Sequence, residues 1–182
     1  MTQRRSPWCV VIVLAALVCG VALLPFPLSR TAVADSANRA DRTDPAELQM
    51  LDLINRDRSA ASSQEETRGR ARSLTWDAKL AAVARAHSEE MARYGFLSHQ
   101  GADGSMPSQR VSAAGIQWIS TGENIANAYD VSQAERLLMN EPKFQHNHRA
   151  NILNPNYNRV GIGISRAPDE TIYITQEFAQ VP

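Results

Sequence analysis

The residues with the most chemistry to offer are the four histidines, His87, His99, His146 and His148, and a few acids close to them along the chain. Imidazole titrates near neutral pH, binds divalent metals and moves protons. A carboxylate beside it can orient the ring or act as a general base. His99 follows Phe96-Leu97-Ser98 and precedes a glycine-containing turn. His148 opens the run His148-Arg149-Ala150-Asn151-Ile152-Leu153, Glu123 lies in Gly122-Glu123-Asn124-Ile125-Ala126, and Glu141 stands between Asn140 and Pro142. Spacing alone does not bring these groups together. There is no HExxH, no GxSxG, no phosphate-binding loop and no CxxC. Each group also has a plainer reading. His87 falls on the apolar stripe of a helix and reads as a core histidine with its hydrogen bonds met. His146 reads as solvated, and Glu123-Asn124 as partners for loop backbone. Arg149 and Asn151 carry several donors suited to holding the segment that follows them.

The elements that must position these side chains are visible as patterns. Asp44-Pro45 is a helix start, an acceptor at the cap followed by proline in the first turn. Leu48, Leu51, Ile54 and Arg58 follow at helical spacing, predicting a helix from Ala46 to about Ala60. Residues 62–72 are polar and aperiodic and read as a solvated loop. Asp77 opens a second helix with a buried stripe of Leu80, Val83, Ala84, His87, Met91 and Tyr94, closed at Gly95. Gly101–Gly104 is a turn and Ser108–Ala114 a short helix. Residues 121–128 read as a loop or short strand, and Val131–Asn140 as a helix stopped before Pro142. Val160, Ile162 and Ile164, then Ile172, Ile174, Gln176 and Phe178, alternate on either side of a turn at Ala167–Glu170, the signature of a hairpin with one buried face. Gly161 and Gly163 leave the other face nearly bare, open to another backbone or a ligand. Helices around a small antiparallel sheet define a mixed α/β sandwich.

The chain also carries an export signature. Arg4 and Arg5 precede an uncharged apolar run, Trp8 to Leu24, and a small-x-small triplet, Ala32-Val33-Ala34. A basic start, an apolar middle and a small-residue site are the parts of a secretory signal, with cleavage expected after Ala34. Uncleaved, the same run would tether the domain to the outer face of a membrane. Residues 1–34 are thus a signal, 35–45 an exposed lead-in and 46–182 one domain. Of the 19 basic and 19 acidic residues, cleavage removes Arg4, Arg5 and Arg30 and no acid, leaving a mildly acidic mature chain without a basic block. Nucleic acid and a polybasic membrane patch are excluded as partners. Cys9 and Cys19, the only cysteines, lie in the signal, so the mature fold rests on its core rather than on disulfides.

Taken in order, Ser98-His99, Gly122–Ala126, Asn140-Glu141-Pro142, His148–Pro155, Val160–Gly163 and Tyr173–Phe178 (SH, GENIA, NEP, HRANILNP, VGIG, YITQEF) resemble the CAP superfamily of cysteine-rich secretory, antigen 5 and pathogenesis-related 1 proteins. The bacterial, cysteine-free branch is the closer match. Asn55 with Arg58, and Leu74-Thr75-Trp76-Asp77, fit as well, and the likeness covers about residues 46–180. It implies a three-layer α-β-α sandwich with a small central antiparallel sheet, and a cleft lined by two histidines and two acids. Carried over position by position, these are His99, Glu123, Glu141 and His148, with Asn124, Arg149 and Asn151 as structural neighbours. Glu141 occupies the place where many relatives have a Trp-x-x-Glu element and many bacterial ones a serine. The Trp is absent, Leu138 stands near its position, and the spacer Lys143–Asn147 is longer than in short SPGHR relatives. The resemblance implies a site where His99 and His148 hold Zn²⁺ or another divalent cation, with no organic cofactor. Two firm protein ligands would hold a metal weakly. Three functions are compatible: a secreted, non-enzymatic binding or signalling module for a lipid, cell-wall or protein ligand; a metal-dependent peptidase or esterase with Glu123 or Glu141 as base; or a structural envelope protein. The domain is expected to be a monomer.

Overall fold

The computed structural model describes residues 43–182; the expected signal, its cleavage site, both cysteines and most of the lead-in lie outside the described residues. Helix α1, Pro45–Ser59, starts where Asp44 accepts from the Ala46 amide and Glu47 reaches back to the Asp44 amide. This reciprocal cap satisfies donors that the first turn cannot. Its buried face is Glu47, Met50, Ile54 and Arg58, while Leu48 points outward. Arg58 is fully buried and donates to the carbonyls of Arg72, Ile152 and Asn154 at 2.6, 2.6 and 3.0 Å. It thereby ties three segments to one guanidinium.

The expected loop at 62–72 is instead a short helix, α2, over Ala61–Thr67. Its polar residues are used inward. Thr67 donates to the Ser63 carbonyl, and Gln64 donates to the carbonyls of Arg58 and Ala71. A helix held by such contacts carries no apolar period for a sequence reading to find.

Helix α3, Ala78–Tyr94, is capped by Asp77, which accepts from Lys79 and Leu80, and ends at Gly95 in the left-handed region. Leu80, Val83, Ala84, His87 and Met91 are buried. Tyr94, expected on the same stripe, is exposed and stacks on Phe96 at the helix end. Helix α4 covers Pro107–Ala113, α5 Val131–Met139 and α6 His148–Leu153.

The sheet has four strands: β1, Thr75–Trp76; β2, Ser120–Ala128; β3, Arg159–Arg166; and β4, Ile172–Gln180, in the order β1-β3-β4-β2. Only the short β1–β3 pair is parallel. β2, read from sequence as a loop or short strand, is a nine-residue strand paired along its whole length with β4. Helices α1, α5 and α6 cover one face over a core of Met50, Ile54, Ile152, Ile162, Ile174 and Phe178. α3 and α4 cover the other over Leu80, Val83, Val111 and Ala179. This is the three-layer α-β-α sandwich.

Gly161 and Gly163 set the spacing of the α3 layer. A Cβ on Gly161 would stand 2.0 Å from the Ala81 amide nitrogen, and one on Gly163 2.2 Å from the Ala84 carbonyl carbon. The helix backbone lies directly on the sheet. Ser88 seals the contact by donating to the Gly163 carbonyl at 2.9 Å.

Candidate functional site

The structure brings His99, Glu123, Glu141 and His148 together as two neighbouring His–Glu pairs. Nδ1 of His99 lies 2.6 Å from Oε1 of Glu123, and Nδ1 of His148 lies 2.7 Å from Oε1 of Glu141. The two rings lie with centroids 6.2 Å apart and planes tilted by 34°. A carboxylate only accepts, so each Nδ1 carries the proton and donates. Nε2 of each ring is left with its lone pair.

Different elements supply the two pairs. Glu123 comes from the middle of β2, and His99 from the loop that follows α3. That loop is braced from below. His87, buried on α3, donates Nε2–H to the Ser98 carbonyl at 2.9 Å, and its Nδ1 lies 3.3 Å from Glu90. Arg110 of α4 donates through Nη1 to the carbonyls of His99 and Ser105 and through Nη2 to Glu123 Oε2 at 2.6 Å. Burial alone would raise the Glu123 carboxyl. The hydrogen bond from His99, with the charges of Arg110 and His87, outweighs it and holds the group below the usual range.

On the other side, Glu141 lies between α5 and α6. It accepts from both the backbone amide and the ring of His148, each at 2.7 Å. Asn147 caps α6 by accepting from the Ala150 amide, and its side chain donates to the Pro142 carbonyl, closing the 142–147 loop on itself. Burial pushes Glu141 up only to be outweighed by His148, so it too sits below the usual range. His146 is exposed in this loop.

The neighbouring residues hold the frame. Asn151 donates to the Glu123 carbonyl and to the Asn124 side chain, and Asn124 donates to the His148 carbonyl at 3.0 Å and to Gln176. Arg149 pairs with Glu66 and donates to the Met139 carbonyl at 2.8 Å. Behind them Gln176 donates to Glu135, whose carboxyl is driven up to about 8, chiefly by burial. Arg110, Glu177 and the bracing role of His87 went unread in the sequence. Arg110 sits in a short polar helix with no periodic signal, and Glu177 on the strand face opposite the one that alternation picks out.

The donor set fits a divalent cation held by two imidazoles. Neutral imidazole nitrogens suit such an ion, and the two rings lie with centroids 6.2 Å apart. Carboxylates on the far nitrogens are the usual means of orienting such ligands. Among the described residues, no group of three or more His, Cys, Asp or Glu is arranged to hold a metal ion.

The three-layer sandwich is that of an SCP-type domain. The chain belongs to the cysteine-rich secretory protein (CAP) family, whose pattern matches residues 51–178. It is similar to the uncharacterised protein YkwD of Bacillus subtilis strain 168, at 33% identity over 91 residues, covering 50% of this chain and 34% of that one. Among solved structures it is similar to an extracellular SCP-domain protein of Bacillus anthracis, at 27% identity and a TM-score of 0.61, covering 74% of this chain and 40% of that one. It also shares the fold of NaASP2, solved with Zn²⁺, at 15% identity and a TM-score of 0.52, covering 77% of this chain and 82% of that one. The chain thus spans well under half the length of the first two.

Proposed function

We propose that this CAP domain works outside the cytoplasm as a non-enzymatic binding module whose cleft takes a divalent cation between His99 and His148. The observation that carries the reading is the pairing of each Nδ1 with its own glutamate, which leaves two Nε2 atoms on rings 6.2 Å apart. Bound there, the cation would supply open coordination positions for an oxygen-bearing ligand: a lipid headgroup, a cell-wall component or a protein carboxylate. Support comes from the export signature in residues 1–34, from the extracellular SCP-domain protein of B. anthracis, and from the zinc solved with NaASP2. Among the described residues, no helix is long and apolar enough to cross a membrane. The hydrolase reading is weaker because both carboxylates already serve the imidazoles, so neither is free to act as a base.

Calorimetry on the purified chain tests this. Saturable Zn²⁺ binding is expected, and it should be lost in the His99→Ala, His148→Ala double variant. Equal binding by parent and double variant would reject the site. Turnover of a peptide and ester panel that a chelator removes would favour the hydrolase.

A further inference from the structure

Beside Glu123 lies a buried acid that the reading above does not use. The β2–β4 register sets Glu177 directly opposite Glu123. Paired residues share a sheet face, here the one covered by α3 and α4. Glu177 is fully buried, and neither of its carboxyl oxygens has a hydrogen-bond donor. An ionised carboxylate in that position would be costly, because it leaves water and gains no donor in return.

The charges around the pair do not balance two carboxylates. From α4, Arg110 gives Nη2 to Glu123 and Nη1 to backbone carbonyls, and its Nε is buried without a partner. From α3, His87 lies with Nε2 4.0 Å from Glu123 and spends that N–H on the Ser98 carbonyl. From β3, the residue facing Glu177 is Gly161, which brings no charge. One guanidinium serves two acids that lie opposite each other across the β2–β4 pair.

We propose that Glu177 is held as a neutral carboxylic acid whose O–H donates to Glu123, making it the positioning residue that fixes Glu123 for His99. Protonation converts an acceptor without a donor into a donor beside an acceptor. Burial, then the neighbouring charge of Glu123, both push the Glu177 carboxyl well above its usual range. Glu123 then receives three donors, His99, Arg110 and Glu177, and stays ionised at the centre of the site. The positioning role rests on the cation-cleft reading; the protonation does not.

Carbon-13 labelling of the glutamate carboxyls tests the protonation, with Glu177 assigned by its loss in Glu177→Gln. A protonated shift at pH 7 is expected, and an ionised Glu177 at pH 7 overturns the proposal whatever the cleft binds. Nitrogen-15 spectra of His99 test the positioning. Glu177→Gln retains an N–H donor and should keep the Nδ1–H form of His99, with Zn²⁺ affinity near the parent's. Glu177→Met removes the donor; His99 should then populate both tautomers, and Zn²⁺ affinity should fall about tenfold. An unchanged His99 tautomer in a folded Glu177→Met chain rejects the positioning role. Should that variant not fold, the parent carboxyl spectrum still decides the protonation. A parent chain that binds no Zn²⁺ but shows a protonated Glu177 overturns the cation reading alone.

Discussion

The two His–Glu pairs present the same atoms to each other at almost the same distance, yet they are built in different ways. In the first, the carboxylate is bolted into the sheet. The Glu123 side chain is 1% exposed, flanked by Arg110 and Glu177, and only the His99 side chain, at 45%, reaches solvent. In the second, both members are partly exposed, His148 at 30% and Glu141 at 29%, and the carboxylate sits at a loop between two helices. One half is a fixed electrostatic frame; the other is held by its own short loop and by Asn124 behind it. Burial raises both the strength of a hydrogen-bonded charge and the cost of losing it. The halves therefore differ far more in what they contribute to stability than in their geometry.

Removing each carboxylate gives the sharpest test of that difference. Glu123→Ala leaves Arg110 buried without its counter-ion and Glu177 without its acceptor. A loss of about 4 kcal/mol in chemical denaturation is expected. A loss below about 1 kcal/mol would place the two halves on an equal footing. Next in size, Gly161→Ala forces a methyl group against the Ala81 amide and should cost about 3 kcal/mol. The displaced helix carries His87 and Glu90, so chemical shifts at His99 should move more than those at His148. The reverse order would break the comparison.

A third test concerns the backing of the His148 half. The folded carboxyl of Glu135 is raised to about 8, so the folded state holds a proton that the unfolded chain has already released. Stability from this group is full below the ordinary glutamate range and is lost as pH rises through about 8. Glu135→Gln should therefore match the parent at pH 4 and exceed it at pH 9, by on the order of 2 kcal/mol. Glu177 shifts in the same sense, so the parent's pH slope should shrink without vanishing. An unchanged slope would remove Glu135 from the account. Smallest of all, Glu141→Ala should cost about 0.5 kcal/mol. Glu141 is lowered in the folded state, so its contribution is present at neutral pH and fades as pH falls through the glutamate range. A larger loss would make the loop half as rigid as the sheet half.

Much of this architecture was legible in the residue pattern, and the exceptions have a common cause. The caps at Asp44 and Asp77, the stop at Gly95 and the terminal hairpin are local signals, set by residues within a turn of one another. The bare glycine face was read as room for another backbone, and α3 fills it. What escaped were polar residues buried by distant partners. β2 lacks alternation because helices cover both faces of the sheet. Glu123 and Asn124 point to opposite sides and both are buried. Alternation along β4 identified Ile174, Gln176 and Phe178 but carried no reading of Glu177, which lies on the face that α3 and α4 roof. The short helix Ala61–Thr67 follows the same logic, with Ser63 and Thr67 turned inward. The grouping of the four cleft residues came from the family likeness alone, since no spacing in the chain brings Glu141 to His148 or Glu123 to His99.

The glycine contact between α3 and β3 has a consequence for how such a domain can diverge. Where two elements meet through side chains, a change of rotamer or of one methyl group shifts them by fractions of an ångström, and the interface can drift. Where backbone rests on backbone, no such adjustable layer exists, and the helix has one seat. New ligand preferences must then be written where there is slack, in the 142–147 loop and at the end of α5. The places where the resemblance implies a departure, the spacer Lys143–Asn147 and Leu138, fall there.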